Sequence, residues 1–380
     1  MVKACHRSGI EVVLEMPFCT AADKMMMLEC LRYYVMEYHI DGFILNPFVI
    51  STESVHADPF LKNTKIMEHE LGFQTVMRRF LKGDEGMIHD VIYWLKHHSK
   101  EQGIFNYITD QNGFTLNDLV SYDAKHNEEN GEHNQDGPDY NYSWNCGEEG
   151  ATRKLKVRQL RIRQIKNALA MVILAQGTPL ILAGDECANS QQGNNNPYCI
   201  DNEISWVNWK NNNDATEIYE WTKFLIDLRK KYGILHSKYR LTQGDSLSYG
   251  YPDVSFHGLN AWYADMDNYY RQIGIMYSES YADKGSRELI YIAYNMHWES
   301  CSLALPKIEG DNGFKIAAMT DSTPGSVCID SEARKVTIPP RSMAVLTGEY
   351  QERKKPSDVA ASGKQAKDEN VKIECPKVKM

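Results

Sequence analysis

Between residues 10 and 235 the sequence alternates short apolar runs with longer amphipathic ones, and this alternation restricts the fold more than any other feature. IEVVLEM (10–16), HIDGFILNPF (39–48), NTKIM (63–67), FNYIT (105–109) and TPLILAG (178–184) read as strands. Pro17 and Pro47 stop the first two. Residues 23–39 suit a helix, with Asp23 placed to cap it and Met27, Leu28, Leu31, Val35 and Met36 at helical spacing. Residues 73–81, 87–98, 153–176 and 215–232 read as further helices, and 110–152 as a long polar loop. Strands that alternate with helices pair in parallel, because a parallel neighbour is reached only through a crossover.

After about residue 235 the texture changes. RELIYIAYNM, CSLAL, FKIAAMT and RKVTIPPRSMAVLTG are short strands separated by Gly, Pro, Asp and Ser, the pattern of a small antiparallel β domain. The expected division is a parallel βα part over 1–235, an antiparallel β-sandwich over 236–350 and a charged, solvated tail over 351–380. Tyr291, Tyr294 and Trp298 are expected in the core of the sandwich.

Several function classes are disfavoured at once. The net charge of −9 argues against duplex nucleic acid and anionic membranes as partners. No apolar run reaches the length of a membrane span, and the first residues lack the long apolar core of a signal peptide. Nine cysteines, an odd number without a CxxC pair, read as free thiols in a reducing cytoplasm, not as disulfides or a zinc site. Asp123, His126, Asn127, Glu128, Asp136 and Trp144 crowd the long loop, but their spacing matches no metal-ligand pattern. A hydrogen-bonded loop is expected there, with no metal and no cofactor.

Three stretches carry a specific resemblance. They are GFTLNDLVSYDAKHNEENGE (113–132) with the following DGPDYNYSWNCGEEG, LAQGTPLILAGDECANSQQGNNNPYCIDNEISWVNW (174–209), and RRFLKGDEGM (78–87). Together they resemble the isoamylase and glycogen-debranching branch of the α-amylase superfamily, over residues 1 to about 350. The resemblance implies an α/β fold: a (β/α)8 barrel followed by a C-terminal antiparallel β-sandwich. Met1 falls just before what resembles the third barrel strand, so about two βα units are expected to be absent.

Retaining glycosidases need two carboxyl groups about 5–5.5 Å apart, set in a barrel at the C-terminal ends of strands. The resemblance places an Arg and the nucleophilic Asp at Ile44 and Asn46. It places the acid/base Glu at His69, between Glu68 and Glu70, and the transition-state His–Asp pair at Gln111 and Asn112. On the first strand, Glu15, Cys19 and Thr20 stand where it implies Asp, Asn and His. Asn46 cannot act as a carboxylate nucleophile, and Ile44 supplies no cation to keep one ionised. A slip of one residue would bring Glu68 or Glu70 to the acid position. Asp110 is no substitute for Gln111, since neighbours along a strand face opposite ways.

The loop GDECANSQQGNNNPYC keeps its polar groups, and the resemblance implies that it lines a glucan cleft. Asp185, Glu186, Asn194, Asn195, Asn196 and Tyr198 are the candidate ligand contacts; the alternative is a tight loop bonded to itself. The expectation is a debranching-like protein without glycosidase activity that binds α-glucan or a paralogous active enzyme, or that self-associates. The alternatives are a weak α-1,6-glucosidase using Glu68 or Glu70, and a structural fragment that needs another chain.

Overall fold

The computed structural model describes residues 1–19, 23–69, 71–97, 103–209, 212–283, 285–310 and 313–351. All but the first residue of the expected tail lies outside them. In chain order the first elements are α1 (Val2–Arg7), β1 (Val13–Glu15), α2 (Lys24–Tyr38), β2 (Gly42–Ile44), α3 (Thr52–His56), β3 (Lys65–His69), α4 (Leu71–Lys82) and α5 (Ile88–Leu95). Then come β4 (Gly103–Asn106), α6 (Leu116–Leu119), α7 (Leu155–Ile173), β5 (Thr178–Pro179) and α8 (Asn213–Lys231). Asp23 caps α2 as its position predicts, accepting from the Met25 N–H at 2.7 Å.

All pairings among β1 to β5 are parallel, and the strands lie side by side in chain order. Among the described residues this sheet holds five strands, with β1 and β5 at its edges, in keeping with the expected parallel βα part. The strand expected over 178–184 shrinks to Thr178–Pro179, because the chain turns off at Gly184 (φ 102°) into the polar loop. β1 to β3 rest on a core of their own, built on Met27, Leu31, Phe43, Val55 and Ile66.

The second half follows as β6 (Val254–His257), β7 (Gln272–Ser278), β8 (Glu288–Asn295), β9 (Cys301–Ala304), β10 (Lys315–Met319), β11 (Cys328–Asp330), β12 (Lys335–Ile338) and β13 (Ser342–Glu349). They form antiparallel sheets in the orders β10-β13-β8-β7-β6 and β11-β12-β9. β8 shows why both faces of the larger sheet are apolar. Leu289, Tyr291 and Ala293 point to the smaller sheet, while Ile290, Ile292 and Tyr294 join the core that holds α4, α5 and α7. Each such side chain contributes roughly 1.5–3 kcal/mol by leaving water. Tyr291 and Tyr294 are buried as expected, whereas Trp298 is 57% exposed and lies outside both cores.

Candidate functional site

The C-terminal ends of β1, β2, β3 and β4 line one rim. Glu15, Ile44 and Met67 stand level on adjacent strands, and Glu68 one step further faces Ile104. Asn46 is exposed just past β2, and its side-chain oxygen accepts from the Phe48 N–H at 3.0 Å. Beyond β4 the chain places Asp110 inside, 6% exposed, and Gln111 and Asn112 outside. Gln111 Nε2 donates to Glu15 Oε2 at 2.6 Å, and the Asn112 N–H donates to Asp110 Oδ1 at 3.0 Å. Glu68 is half-buried at the end of β3; Glu70 and the side chain of His69 lie outside the described residues. At the described positions the rim therefore offers amides, the apolar Ile44, the Glu15 carboxylate held by Gln111 and the half-buried Glu68.

Beneath the rim lies a charged layer. Arg78, on the buried face of α4, donates to the Ile108 carbonyl at 2.7 Å and to the Asn141 carbonyl at 3.2 Å. Burial pulls its pKa down to about 10, opposed by the nearby Asp110 and Asp185, so it stays a cation at neutral pH. Asp185 is 1% exposed. It accepts from the Thr109 hydroxyl and from the Leu116 N–H, the latter at 2.8 Å, and burial pushes its pKa up to about 7. Asp118 plays a matching part. It accepts from Ser190 Oγ at 2.6 Å and the Gln191 N–H at 2.7 Å, and burial pushes it up to about 6.

The 185–198 loop corrects the expectation of a row of ligand-facing amides. Asn194 is 1% exposed and Asn195 is fully buried. Asn195 exchanges two hydrogen bonds of 2.9 Å with the Asn127 side chain through its own N–H and Oδ1. Its Nδ2 donates to the Pro138 carbonyl at 2.8 Å and to Asn141 Oδ1 at 3.1 Å. Asn194 Nδ2 donates to Asn130 Oδ1 at 2.6 Å. Gly137 (φ 71°) has to be glycine, since a Cβ there would stand 2.3 Å from Asn195 Oδ1. Asn194 and Asn195 therefore lock this loop to the 123–141 loop, while Asp185 ties it to Thr109 and Leu116.

Asn196 is half-buried and donates to Asp136 Oδ2 at 2.8 Å. Asn130 and then Asn196 hold the Asp136 carboxyl below its usual range. Glu186 is half-buried and accepts from the Gly184 N–H at 2.9 Å. Tyr198 alone of the six candidates is well exposed, at 72%. Sequence reasoning missed Arg78 and Asp118 altogether. The signal was a charge on the apolar stripe of α4, beside Phe73, Val76, Met77 and Phe80.

Among the described residues no group of three or more His, Cys, Asp or Glu side chains is placed to hold a metal ion. No described helix is long and apolar enough to cross a membrane, and the eight described cysteines are free thiols.

The raised carboxyls make stability depend on pH. Asp118 binds its proton more tightly folded than unfolded, so its contribution is fully present below about pH 4 and is lost as pH rises through about 6. Asp118→Asn removes that dependence, because an amide does not titrate. Denaturant unfolding at pH 4 and pH 7 is expected to show the variant gaining on the wild type by on the order of 2–3 kcal/mol as pH rises. A constant difference across that range would show that Asp118 does not titrate there.

No protein-family profile matches the chain. Among curated proteins, a glycogen operon protein GlgX homolog of Haemophilus influenzae is 33% identical over 328 residues, covering 62% of this chain and 50% of that protein. The homolog of Mycobacterium tuberculosis is 32% identical over 267 residues, covering 59% and 37%. Isoamylase 1 of Arabidopsis thaliana is 30% identical over 269 residues, covering 54% and 34%. The chain thus spans half or less of each of these relatives. Among solved structures, a mutant pullulanase from Paenibacillus barengoltzii complexed with maltotetraose superposes with a TM-score of 0.63 at 16% identity, covering 92% of this chain and 60% of that one. The catalytic module of a glycogen-degrading pneumococcal virulence factor gives 0.64 at 12% identity, covering 91% and 63%. These structural matches speak for the fold alone, the sequence matches for descent. In sequence the chain is similar to glycogen-debranching proteins and isoamylases.

Proposed function

We propose that this is a debranching-enzyme-like protein of α-glucan metabolism that works by binding, without cleaving glycosidic bonds. It is read as an α-amylase-type (β/α) barrel part over 1–235 with a β-sandwich over 236–350. The observation that carries the reading is the rim itself. Asn46, Gln111 and Asn112 stand where the resemblance implies charged residues, and Gln111 is turned onto Glu15. Such a surface can still bind sugar, because affinity for hydroxyls uses neutral hydrogen bonds and ring contact. The charge balance and free thiols are in keeping with a cytoplasmic protein.

The rim amides with Tyr198, Asn196 and Glu186 are the proposed glucan contacts. Asp185, Asn194 and Asn195 support them from below. A few neutral hydrogen bonds, each worth roughly 0.5–1.5 kcal/mol, give affinity nearer millimolar than nanomolar. Titration with maltooligosaccharide, followed by NMR shifts, is expected to saturate in that range. Tyr198→Ala should weaken binding at unchanged stability. Asn195→Ala should instead destabilise the fold by roughly 1–3 kcal/mol, because it removes the side-chain donor to the Pro138 carbonyl and Asn141 Oδ1 and one acceptor of Asn127 Nδ2. Absence of a saturable response at tens of millimolar ends the glucan reading. It would turn attention to a protein partner at the open β1 edge, which offers unpaired backbone groups.

A further inference from the structure

β6 ends at His257, and the chain soon folds back in a tight turn. Asn260 and Tyr263 pair as an antiparallel bridge, with Ala261 and Trp262 between them. Trp262 has φ 68°. That is the left-handed region which glycine or asparagine fills at such a position, and a bulky side chain there is strained. The conformation is fixed from behind. The Trp262 N–H donates to His257 Nδ1 at 2.8 Å, and His257 Nε2 stands 2.9 Å from Ser255 Oγ. His257 is fully buried, and burial pushes its pKa down to about 3, so the ring is neutral and Nδ1 keeps its accepting lone pair. Tyr251 stacks on the indole at 6.5 Å, and the His257 ring meets it edge-on at 5.3 Å.

This support leaves the indole 50% exposed, next to Tyr263 at 61%. A strained aromatic kept rigid and half in water is an arrangement expected of a ligand platform more than of a core residue. Trp298 is different. The Arg271 guanidinium lies over its ring at 4.8 Å and the His297 ring stacks on it at 4.2 Å, so its aromatic surface is already engaged.

We propose that Trp262 is a stacking platform for an α-glucan chain, a binding site separate from the rim; this rests on the reading that the chain binds α-glucan. A pyranose presents a face of C–H groups to an indole and hydroxyls around its edge. The exposed Asn260 and Tyr263 side chains flank the platform to take such hydroxyls. Asp265 and Asp267, close by in sequence, disfavour an anionic ligand.

The test uses the whole chain titrated with maltoheptaose, read by the indole N–H resonances, with the Trp262 signal assigned from Trp262→Phe. Saturable movement of that signal is expected. Trp262→Gly should remove this binding component, with affinity at the turn falling at least about tenfold (about 1.4 kcal/mol). Its melting temperature should hold or rise, because glycine is at ease at this φ. Gln111→Ala should leave the Trp262 signal responsive. If wild type binds glucan while the Trp262 signal stays still and Trp262→Gly binds equally well, the platform is overturned and the rim reading stands. If wild type shows no saturable response at all, both fall.

Discussion

Incubated with glycogen or pullulan, the purified chain is expected to release reducing ends no faster than buffer does. Ordinary enzymes turn over at about 1–10³ s⁻¹, and each 1.36 kcal/mol of lost transition-state stabilisation costs about tenfold. A retaining mechanism requires a nucleophile to form the glycosyl-enzyme and a second carboxyl group to protonate the leaving oxygen. Asn46 cannot do the first. Ile44 offers no cation beside it, and Gln111 and Asn112 cannot supply the charges of the His–Asp pair that the resemblance implies there. Glu15, exposed at the rim, accepts a hydrogen bond from Gln111 at 2.6 Å, so that oxygen is already engaged. The combined loss is expected to exceed about 10⁶-fold, the lower end of enzymatic acceleration. Asn46→Asp alone should restore nothing, because the missing parts act as a unit. Turnover near 1 s⁻¹ that vanishes in Glu68→Gln or Glu70→Gln would overturn this and make the chain an altered α-1,6-glucosidase.

The expectation of lost catalysis rests on residue identity at fixed offsets from strands. Asp110 and Gln111 fall on opposite sides of the chain, as alternation along a strand demands. The 185–198 loop was less legible. Asn194 and Asn195 look like surface residues in QQGNNNPYC, since Asn and Gly mark exposed turns. Their partners, Asn130 and Asn127, are 64 and 68 residues away, and no local pattern records that pairing. A buried amide network and an exposed one have the same composition.

The same limit applies to the fold. α2 was legible from its cap and spacing, and β8 from RELIYIAYNM. β6 and β7 were not. QIGIMYS lacks alternation because all but its first residue is buried, and Gly274 interrupts the run. That glycine is there because Tyr291 Oη lies 1.8 Å from where its Cβ would stand, while that hydroxyl donates to the Ala304 carbonyl at 3.0 Å. The packing of one strand thus sets the composition of its neighbour, which only the assembled sheet reveals. Closure of the sheet is equally non-local, since it depends on strand number and stagger around the whole ring.

Arg78→Ala is expected to destabilise the fold by about 3–5 kcal/mol, the cost of breaking a buried charge arrangement from one side. α4 turns Phe73, Met77 and Phe80 into the core, and Arg78 enters beside them at 5% exposure. Its guanidinium spans two segments, meeting the carbonyl of Ile108 below the rim and that of Asn141 in the long loop. Asp110 and Asp185 lie close enough to oppose the fall in its pKa, so its removal leaves two carbonyls without this donor and takes a cation from beside two buried carboxyls. Lysine keeps the charge but not the planar fork that reaches both carbonyls, so Arg78→Lys should cost less, roughly 1–3 kcal/mol. Urea unfolding of both variants measures the difference. Hydrogen exchange tests its location, since amides around residues 108–116 and 141–146 should lose protection before those of β8 and β13. A cost below about 1 kcal/mol for the alanine variant, within the range of an ordinary surface contact, would show that the rim and the loop are held without this cation.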